Sequence, residues 1–131
     1  MLMIPVTALY ASLLAILVVI EILVIVNLRR SLKVGLGDGG NRDLQRAIRV
    51  HGNAIEYIPL VLILLATYEI NHGSGTVLHF AGAIFLLSRV LHAWGLYSSG
   101  GTSPGRFAGT VGSVTAVLVL AVANLMKVLG S

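Results

Sequence analysis

A stripe of charged and polar residues stands where the second apolar segment of the chain begins. It contains Arg46, Arg49, Asn53, Glu56 and Tyr57, which fall within an arc of roughly 100° on a helix that turns about 100° per residue. Guanidinium groups bind anions, a carboxylate binds a cation, and an amide both donates and accepts hydrogen bonds. The stripe therefore offers the donors and acceptors that a small zwitterionic ligand needs.

The same stripe also has a structural interpretation. Arg49 and Glu56 could neutralise each other and hold helices together, as charged pairs inside membranes do. The residues alone support a small-molecule site and a structural ion pair about equally. In either case the stripe cannot face lipid, so it must face a bundle interior, another subunit or a polar ligand.

The composition indicates an integral membrane protein. Of 131 residues, 56% are hydrophobic and only 11% are charged, whereas soluble domains carry about 25% charged residues. This hydrophobicity excludes a disordered chain. The chain has no cysteine, which excludes a disulfide-stapled secreted domain. Any thiol chemistry must therefore use a thiol from the substrate.

Four segments are long and apolar enough to cross a bilayer, which takes about 20 residues as a helix. They cover about residues 5–28, 47–70, 76–97 and 107–129. The expected fold is an all-α integral membrane protein, a four-transmembrane-helix bundle in which residues 1–131 form one domain.

The distribution of Lys and Arg predicts the orientation of this bundle. The third connection holds Arg106, and the second, 71–75, holds no Lys or Arg. The first connection is rich in them: Arg29, Arg30, Lys33, Arg42 and Arg46. The positive-inside rule places the first and third connections in the cytoplasm and both termini outside. The basic belt can hold anionic lipid head groups. We see no soluble basic face, so nucleic acid is not an expected partner.

Three smaller patterns have structural explanations. The spacing Gly35-x-Gly37-x-x-Gly40 matches a dinucleotide-binding fingerprint, but that fingerprint needs a preceding strand, so we predict a turn. His72 and His79 lack a third metal ligand, and no metal site is predicted. Small residues of the fourth span recur at the spacing that lets helices pack closely in lipid: Gly109, Gly112 and Ala116.

The second span resembles the signature of the MAPEG family, the membrane-associated proteins in eicosanoid and glutathione metabolism. The matching pattern is Arg49-x-x-x-Asn53-x-x-Glu56-Tyr57-x-Pro59. The resemblance extends over essentially the whole chain, and outside the second span it includes Arg29-Arg30-x-x-Lys33, Arg89 and Arg106. The glycine-rich stretch of the first connection is similar to a bacterial branch of the family.

The resemblance implies a homotrimer of four-helix bundles in the bacterial inner membrane. Glutathione would bind as a cosubstrate between adjacent subunits, near the cytoplasmic face. The implied activity is that of a glutathione transferase or peroxidase, and the lipophilic electrophile would arrive from the bilayer.

The resemblance also implies roles for individual residues. Arg29 and Arg49 would hold the carboxylates of glutathione, and Asn53 its peptide. Glu56 would bind the γ-glutamyl ammonium group, and Tyr57 the main chain.

Three further residues complete the implied site. His51, which points away from the stripe, would serve the site of the neighbouring subunit. Arg106 would lie beside the sulfur as the catalytic residue, because a guanidinium group favours the thiolate over the thiol. His92 stands where catalytic members place a tyrosine, and Leu96 follows one turn later. His92 could donate a hydrogen bond, but it titrates near neutrality and is not equivalent to a phenol.

Two alternatives remain open. His92 and Leu96, standing in place of phenols, are also compatible with a non-catalytic family member that binds lipid or scaffolds a partner. The second alternative is a small proton-coupled exporter that uses Glu21 of the first span. In the structural interpretation Glu21 forms an ion pair, for example with Arg89, or lies at a subunit interface. The exporter hypothesis leaves the stripe of the second span unexplained.

Overall fold

The computed structural model describes residues 1–98 and 103–131. These residues form α1 (Pro5–Leu32), α2 (Arg42–Ile70), α3 (Gly75–Ser98) and α4 (Pro104–Leu129), and no strand occurs within them. All four helices are long and apolar enough to cross a membrane. The predicted all-α bundle of four membrane helices is therefore confirmed.

The helices extend beyond the apolar spans because polar caps allow their charged ends to stay helical. The Asn41 side chain accepts a hydrogen bond from the Leu44 amide at 3.0 Å, so α2 begins before its apolar residues. At the start of α4, the Ser103 hydroxyl accepts from the Arg106 amide at 3.2 Å, and Pro104 occupies the first turn. Caps of this kind satisfy amides that have no partner within the helix. Arg106 consequently lies on a helix rather than in a loop.

The first turn of α1 is capped from another helix. Ile4, the residue before α1, provides no side-chain hydrogen bond. Instead, the carboxylate of Glu69, near the end of α2, accepts from the Val6 amide at 2.8 Å and from the Thr7 amide and hydroxyl at 2.7 Å each. A negative charge at a helix N-terminus is stabilising. This contact fixes the two helices together at the end of the bundle opposite to the α1–α2 connection.

The glycine-rich segment between α1 and α2 forms the predicted turn. Gly37, Gly39 and Gly40 have φ values of 68°, 58° and 74°, a region that side chains other than glycine rarely adopt. The guanidinium group of Arg29 donates to the carbonyl of Gly37 at 2.8 Å and to that of Val34 at 3.3 Å. Arg29 thus holds the turn against the end of α1.

Helices α3 and α4 make the most extensive contact between helices in the bundle. Their close approach depends on glycine: a Cβ atom added at Gly109 would lie 2.6 Å from the Cβ atom of His92 and 2.7 Å from the Ser88 carbonyl oxygen. Gly112 also packs against Ser88, and Ala116 is fully buried. The small-residue pattern of the fourth span therefore serves packing within the chain. It also determines where His92 lies.

Candidate functional site

A cavity of about 350 Å³ lies where α2, α3 and α4 meet, at the end of the bundle that carries the α1–α2 connection. Ligand pockets in proteins begin at roughly 300 Å³, so the cavity is large enough for a small ligand. The residues that line it come from the first half of α2, the second half of α3 and the start of α4: Gln45, Arg46, Arg49, Asn53, His92, Leu96, Arg106 and Thr110.

The lining of the cavity is strongly cationic. It contains three arginines, Arg46 and Arg49 from α2 and Arg106 from α4, and its described lining includes no Asp or Glu. Arg46 and Arg106 are half-buried. Guanidinium groups carry only hydrogen-bond donors and match carboxylates in geometry. The cavity therefore favours a ligand with one or more anionic groups.

Arg49 connects the cavity to a carboxylate on the outer side of α2. Its Nη1 atom lies 3.8 Å from Oε1 of Glu56, and the two side chains are 59% and 58% exposed. Both residues lie within a helix that is apolar enough to span a membrane, where charged groups facing lipid are strongly unfavourable. This side of α2 therefore needs a polar cover in the membrane.

Behind the cavity, a buried arginine of α3 holds the amide of α2. Arg89 is 2% exposed, and its Nη1 atom donates to Asn53 Oδ1 at 2.7 Å and to the Asn53 carbonyl oxygen at 3.4 Å. The guanidinium carbon lies 5.3 Å from the centre of the Tyr57 ring and 5.9 Å from that of Phe85. These distances are typical of cation–π contacts. Tyr57 thus packs against Arg89.

The opposite face of α2 meets a buried carboxylate of α1. Glu21 is 3% exposed, and its Oε2 atom lies 3.7 Å from Nδ1 of His51. Among the described residues, His51 is the ion-pair partner of Glu21 within 4 Å. The pairing of Glu21 with Arg89 considered from the sequence stays a prediction. His51 lies on the α1 side of α2, away from the stripe.

The structure brings together half of the predicted site residues. Four of them line the cavity, and they come from three helices: Arg49, Asn53, His92 and Arg106. The other four have contacts elsewhere in the chain, as described above: Arg29, His51, Glu56 and Tyr57. Whether any of these residues binds a ligand stays a prediction.

Sequence reasoning assigned no ligand role to two polar residues that line the cavity. Gln45 lies in the first turn of α2, and Thr110 lies one turn after Arg106 on α4. The four-residue spacing from Arg106 to Thr110 places both on one helix face, and this signal could have identified Thr110. Nothing in the sequence shows that Gln45 faces a cavity rather than solvent.

A second cavity, of about 260 Å³, shares part of this lining. His92, Arg106 and Thr110 belong to both cavities, and Ser103 and Phe107 complete the second. The Phe107 ring is 74% exposed on the surface of the chain. Arg106 therefore lies between a cationic cavity and a region that an apolar group on the membrane side can reach.

The fold and the cavity together define a small four-helix membrane protein with an arginine-lined site at one end of the bundle. Residues 7–126 match the model of the MAPEG family. The chain belongs to the MAPEG family, which is generally associated with glutathione.

Two relatives show how far the similarity extends. The chain is 38% identical over 120 residues to the inner membrane protein YecN of Escherichia coli strain K12, and the aligned region covers 92% of this chain and 90% of the relative. It is 33% identical over 90 residues to the uncharacterized protein sll1147 of Synechocystis, and here the aligned region covers 69% of this chain and 63% of the relative. Neither name gives a reaction.

Proposed function

We propose that this protein binds glutathione in the arginine-lined cavity and uses it as a cosubstrate against lipophilic electrophiles, as a transferase or peroxidase. The observation that carries the proposal is the convergence of Arg46, Arg49 and Arg106 with the Asn53 amide in one cavity. Membership of a glutathione-associated family supports the choice of ligand.

The chemistry of the lining fits the groups of glutathione. The tripeptide carries two carboxylates, one ammonium group, two peptide units and one thiol. On the α2 side of the cavity, Arg46 and Arg49 offer hydrogen-bond donors to carboxylates. Asn53 offers an amide that can form a hydrogen bond with a peptide unit. Glu56 lies next to Arg49 and is exposed, so its carboxylate is available to an ammonium group.

We further propose that the site lies at the boundary between subunits of a homotrimer. Arg49 and Glu56 are more than half exposed on a helix that spans the membrane. A neighbouring subunit and a polar ligand together would shield these charges from lipid. In such an assembly Arg29, which lies at the end of α1 in this chain, would approach the ligand from the neighbouring subunit. His51 is proposed to serve the neighbouring site as well.

The cavity is proposed to face the cytoplasm of a bacterium. The relative from Escherichia coli is named an inner membrane protein, and the end of the bundle with the cavity also carries a basic cluster. The positive-inside rule assigns such a cluster to the cytoplasmic side: Arg29, Arg30, Lys33, Arg42 and Arg46. Anionic lipid head groups would bind this belt.

Arg106 is the proposed catalytic residue. Its guanidinium group stabilises the thiolate of glutathione, so that the thiol proton leaves to water. In the transferase reaction the thiolate attacks an electrophilic carbon, and a carbon–sulfur bond replaces the bond to the leaving group. In the peroxidase reaction two glutathione molecules reduce a lipid hydroperoxide to the alcohol and water and become one disulfide. The adjoining cavity beside Phe107 would hold the lipophilic partner.

Calorimetry and ultraviolet absorbance test the proposal on the detergent-purified protein. The wild type should bind glutathione and produce the absorbance band of a thiolate. Arg106→Ala should lose that band, whereas Arg30→Ala, which removes an exposed arginine of α1, should keep it. A wild-type protein without measurable affinity for glutathione would overturn the proposal.

The second candidate function is non-catalytic binding. The observation that favours it is that the described lining of the cavity contains His92 and Leu96 and no phenol, whereas the family's catalytic members are expected to place a tyrosine there. A binder would take up glutathione without forming the thiolate and without consuming an electrophile. A thiolate band that Arg106→Ala abolishes would exclude this candidate.

A further inference from the structure

Arg89 on α3 contacts two successive turns of α2. Its Nη1 atom donates to Oδ1 of Asn53 at 2.7 Å and to the Asn53 carbonyl oxygen at 3.4 Å, and its guanidinium carbon lies 5.3 Å from the centre of the Tyr57 ring. Asn53 and Tyr57 are four residues apart, so they lie on the same face of the helix. Arg89 therefore joins α3 to the face of α2 that carries the polar stripe.

The Asn53 side chain satisfies a buried group that has few other partners. Arg89 is 2% exposed, and among residues 1–98 and 103–131 it has no carboxylate within 4 Å. Its Nε atom is buried without a hydrogen-bond partner in that part of the chain. Oδ1 of Asn53 is thus the side-chain oxygen that accepts from this guanidinium group. The contact should persist, because a buried charged group that loses its hydrogen-bond acceptor is strongly unfavourable.

The contact fixes which end of the Asn53 amide faces the cavity. A guanidinium group only donates hydrogen bonds, so the atom opposite Nη1 of Arg89 must be the amide oxygen. Turning the amide over would place two donors 2.7 Å apart and would lose a hydrogen bond to a charged group, which disfavours that orientation by at least about tenfold. Asn53 also lines the cavity, and its NH2 group is the part of the amide that is left to face a ligand.

We propose that Arg89 is a positioning residue: it makes Asn53 a hydrogen-bond donor to the ligand and prevents Asn53 from acting as an acceptor. The ligand atom next to Asn53 is then a carbonyl or carboxylate oxygen rather than an N–H group. The identity of the ligand as glutathione rests on the proposed function. The orientation of the amide does not, because it follows from the contacts of Arg89. With the NH2 group facing inward, Asn53 adds a further donor to a cavity already lined by three arginines.

The first experiment needs no ligand. Protein labelled with ¹³C,¹⁵N-asparagine in detergent micelles gives side-chain carbonyl signals, and alanine variants identify those of Asn53 and Asn124. A charged donor polarises the carbonyl group that it binds, so the Asn53 carbonyl carbon should resonate downfield of that of Asn124. Asn124 is the matched comparison, because its hydrogen bonds to Leu64 and Leu120 are made by the NH2 group. Equal carbonyl shifts of Asn53 and Asn124 would overturn the proposal.

Arg89→Met removes the donor and keeps an unbranched apolar side chain. No carboxylate of the described residues lies within 4 Å of Arg89, so the variant breaks no ion pair and should fold. Its Asn53 carbonyl signal should move upfield. Arg46→Met, which removes a half-buried arginine of the same cavity, should leave that signal in place. An Asn53 signal that does not move in folded Arg89→Met would contradict the positioning role, and the wild-type comparison with Asn124 decides the question if Arg89→Met does not fold.

The second experiment measures glutathione affinity by calorimetry after the donor has been replaced by an acceptor. Asn53→Asp keeps an oxygen for Arg89 but presents an oxygen to the cavity in place of the NH2 group. Gln45→Glu is the matched control, because it adds the same charge to the same lining by an equally small change. Asn53→Asp should weaken binding about tenfold more than Gln45→Glu does, the effect of one lost hydrogen bond. An equal or smaller loss in Asn53→Asp would show that Asn53 does not donate to the ligand and would overturn the proposal.

A double-mutant cycle separates positioning from general support of the bundle. Arg89→Met should weaken glutathione binding about two- to tenfold, the cost of ordering a side chain that is no longer held. It should have no further effect in an Asn53→Ala background, but should keep its effect in a Thr110→Ala background, where another residue of the lining is changed. Equal effects in both backgrounds would overturn the proposal. If the wild type does not bind glutathione, the proposed function fails, and the carbonyl signals still decide the orientation of Asn53.

Discussion

Replacing Arg49 by alanine separates the two interpretations of the stripe on α2. If Arg49 and Glu56 are mainly a structural ion pair, removing one partner should weaken the fold. If Arg49 is mainly a ligand of the cavity, the change should weaken glutathione binding and leave the fold nearly intact. The first outcome changes the free energy of unfolding, and the second changes the free energy of glutathione binding.

The geometry of the pair predicts a small effect on stability. Nη1 of Arg49 and Oε1 of Glu56 are 3.8 Å apart, and both side chains are more than half exposed. Since we propose that water or a polar ligand rather than lipid covers this side of α2, the pair should contribute about 0–1 kcal/mol, as ion pairs in polar surroundings do. We therefore expect Arg49→Ala to lower the free energy of unfolding by at most about 1 kcal/mol.

The effect on binding should be larger. A hydrogen bond between a guanidinium group and a carboxylate contributes about 1.5–3 kcal/mol, and about 1.4 kcal/mol corresponds to a factor of ten. Arg49→Ala should therefore weaken glutathione binding roughly 10- to 150-fold. Arg49→Lys keeps the charge but not the two-pronged geometry, so its affinity should lie between those of the wild type and Arg49→Ala.

Thermal unfolding and calorimetry on the same detergent-purified samples give both quantities. Arg30→Ala is the matched control, because it removes an exposed arginine from the same end of the bundle and does not line the cavity. The reasoning is refuted if Arg49→Ala lowers stability by more than about 2 kcal/mol and leaves the affinity of the folded protein unchanged.

Three further predictions concern contacts that position the site. Glu69→Gln should lower the free energy of unfolding by about 2 kcal/mol, because the amides of Val6 and Thr7 lose a charged hydrogen-bond acceptor at the start of α1. A melting temperature equal to that of the wild type would contradict this. Gly109→Ala should destabilise the protein by about 1–3 kcal/mol and weaken glutathione binding, since the added Cβ atom displaces His92. Unchanged binding and stability would show that the packing of α3 against α4 adapts to the added methyl group. Arg29→Ala should speed proteolysis of the α1–α2 turn that Arg29 holds, and a cleavage rate equal to that of Arg30→Ala would argue against this role.

The helices and one face of the site could be predicted because both depend on residues that are close in sequence. The length of an apolar run determines whether a helix can cross a bilayer. The helical repeat places Arg46, Arg49 and Asn53 on one face of α2, and all three line the cavity. Such arguments need no knowledge of how the helices pack.

The contacts that join different helices could not be predicted in the same way. Arg89 and Asn53 are 36 positions apart, and Thr7 and Glu69 are 62 positions apart. Each contact depends on the rotation and height of one helix relative to another, which single-helix periodicity does not determine. The sequence marked Arg89 as part of a family pattern, but only the packing of α3 against α2 shows which amide it holds.

The division of polar residues around α2 also bears on the exporter hypothesis. That hypothesis started from Glu21, a carboxylate within the first membrane span. In the structure, Glu21 is 3% exposed between helices of one chain, and its Oε2 atom lies 3.7 Å from Nδ1 of His51. A buried carboxylate that has a partner on the neighbouring helix can serve to join α1 to α2. Glu21 therefore has an explanation that involves no transport, and unchanged drug efflux by Glu21→Gln would agree with it.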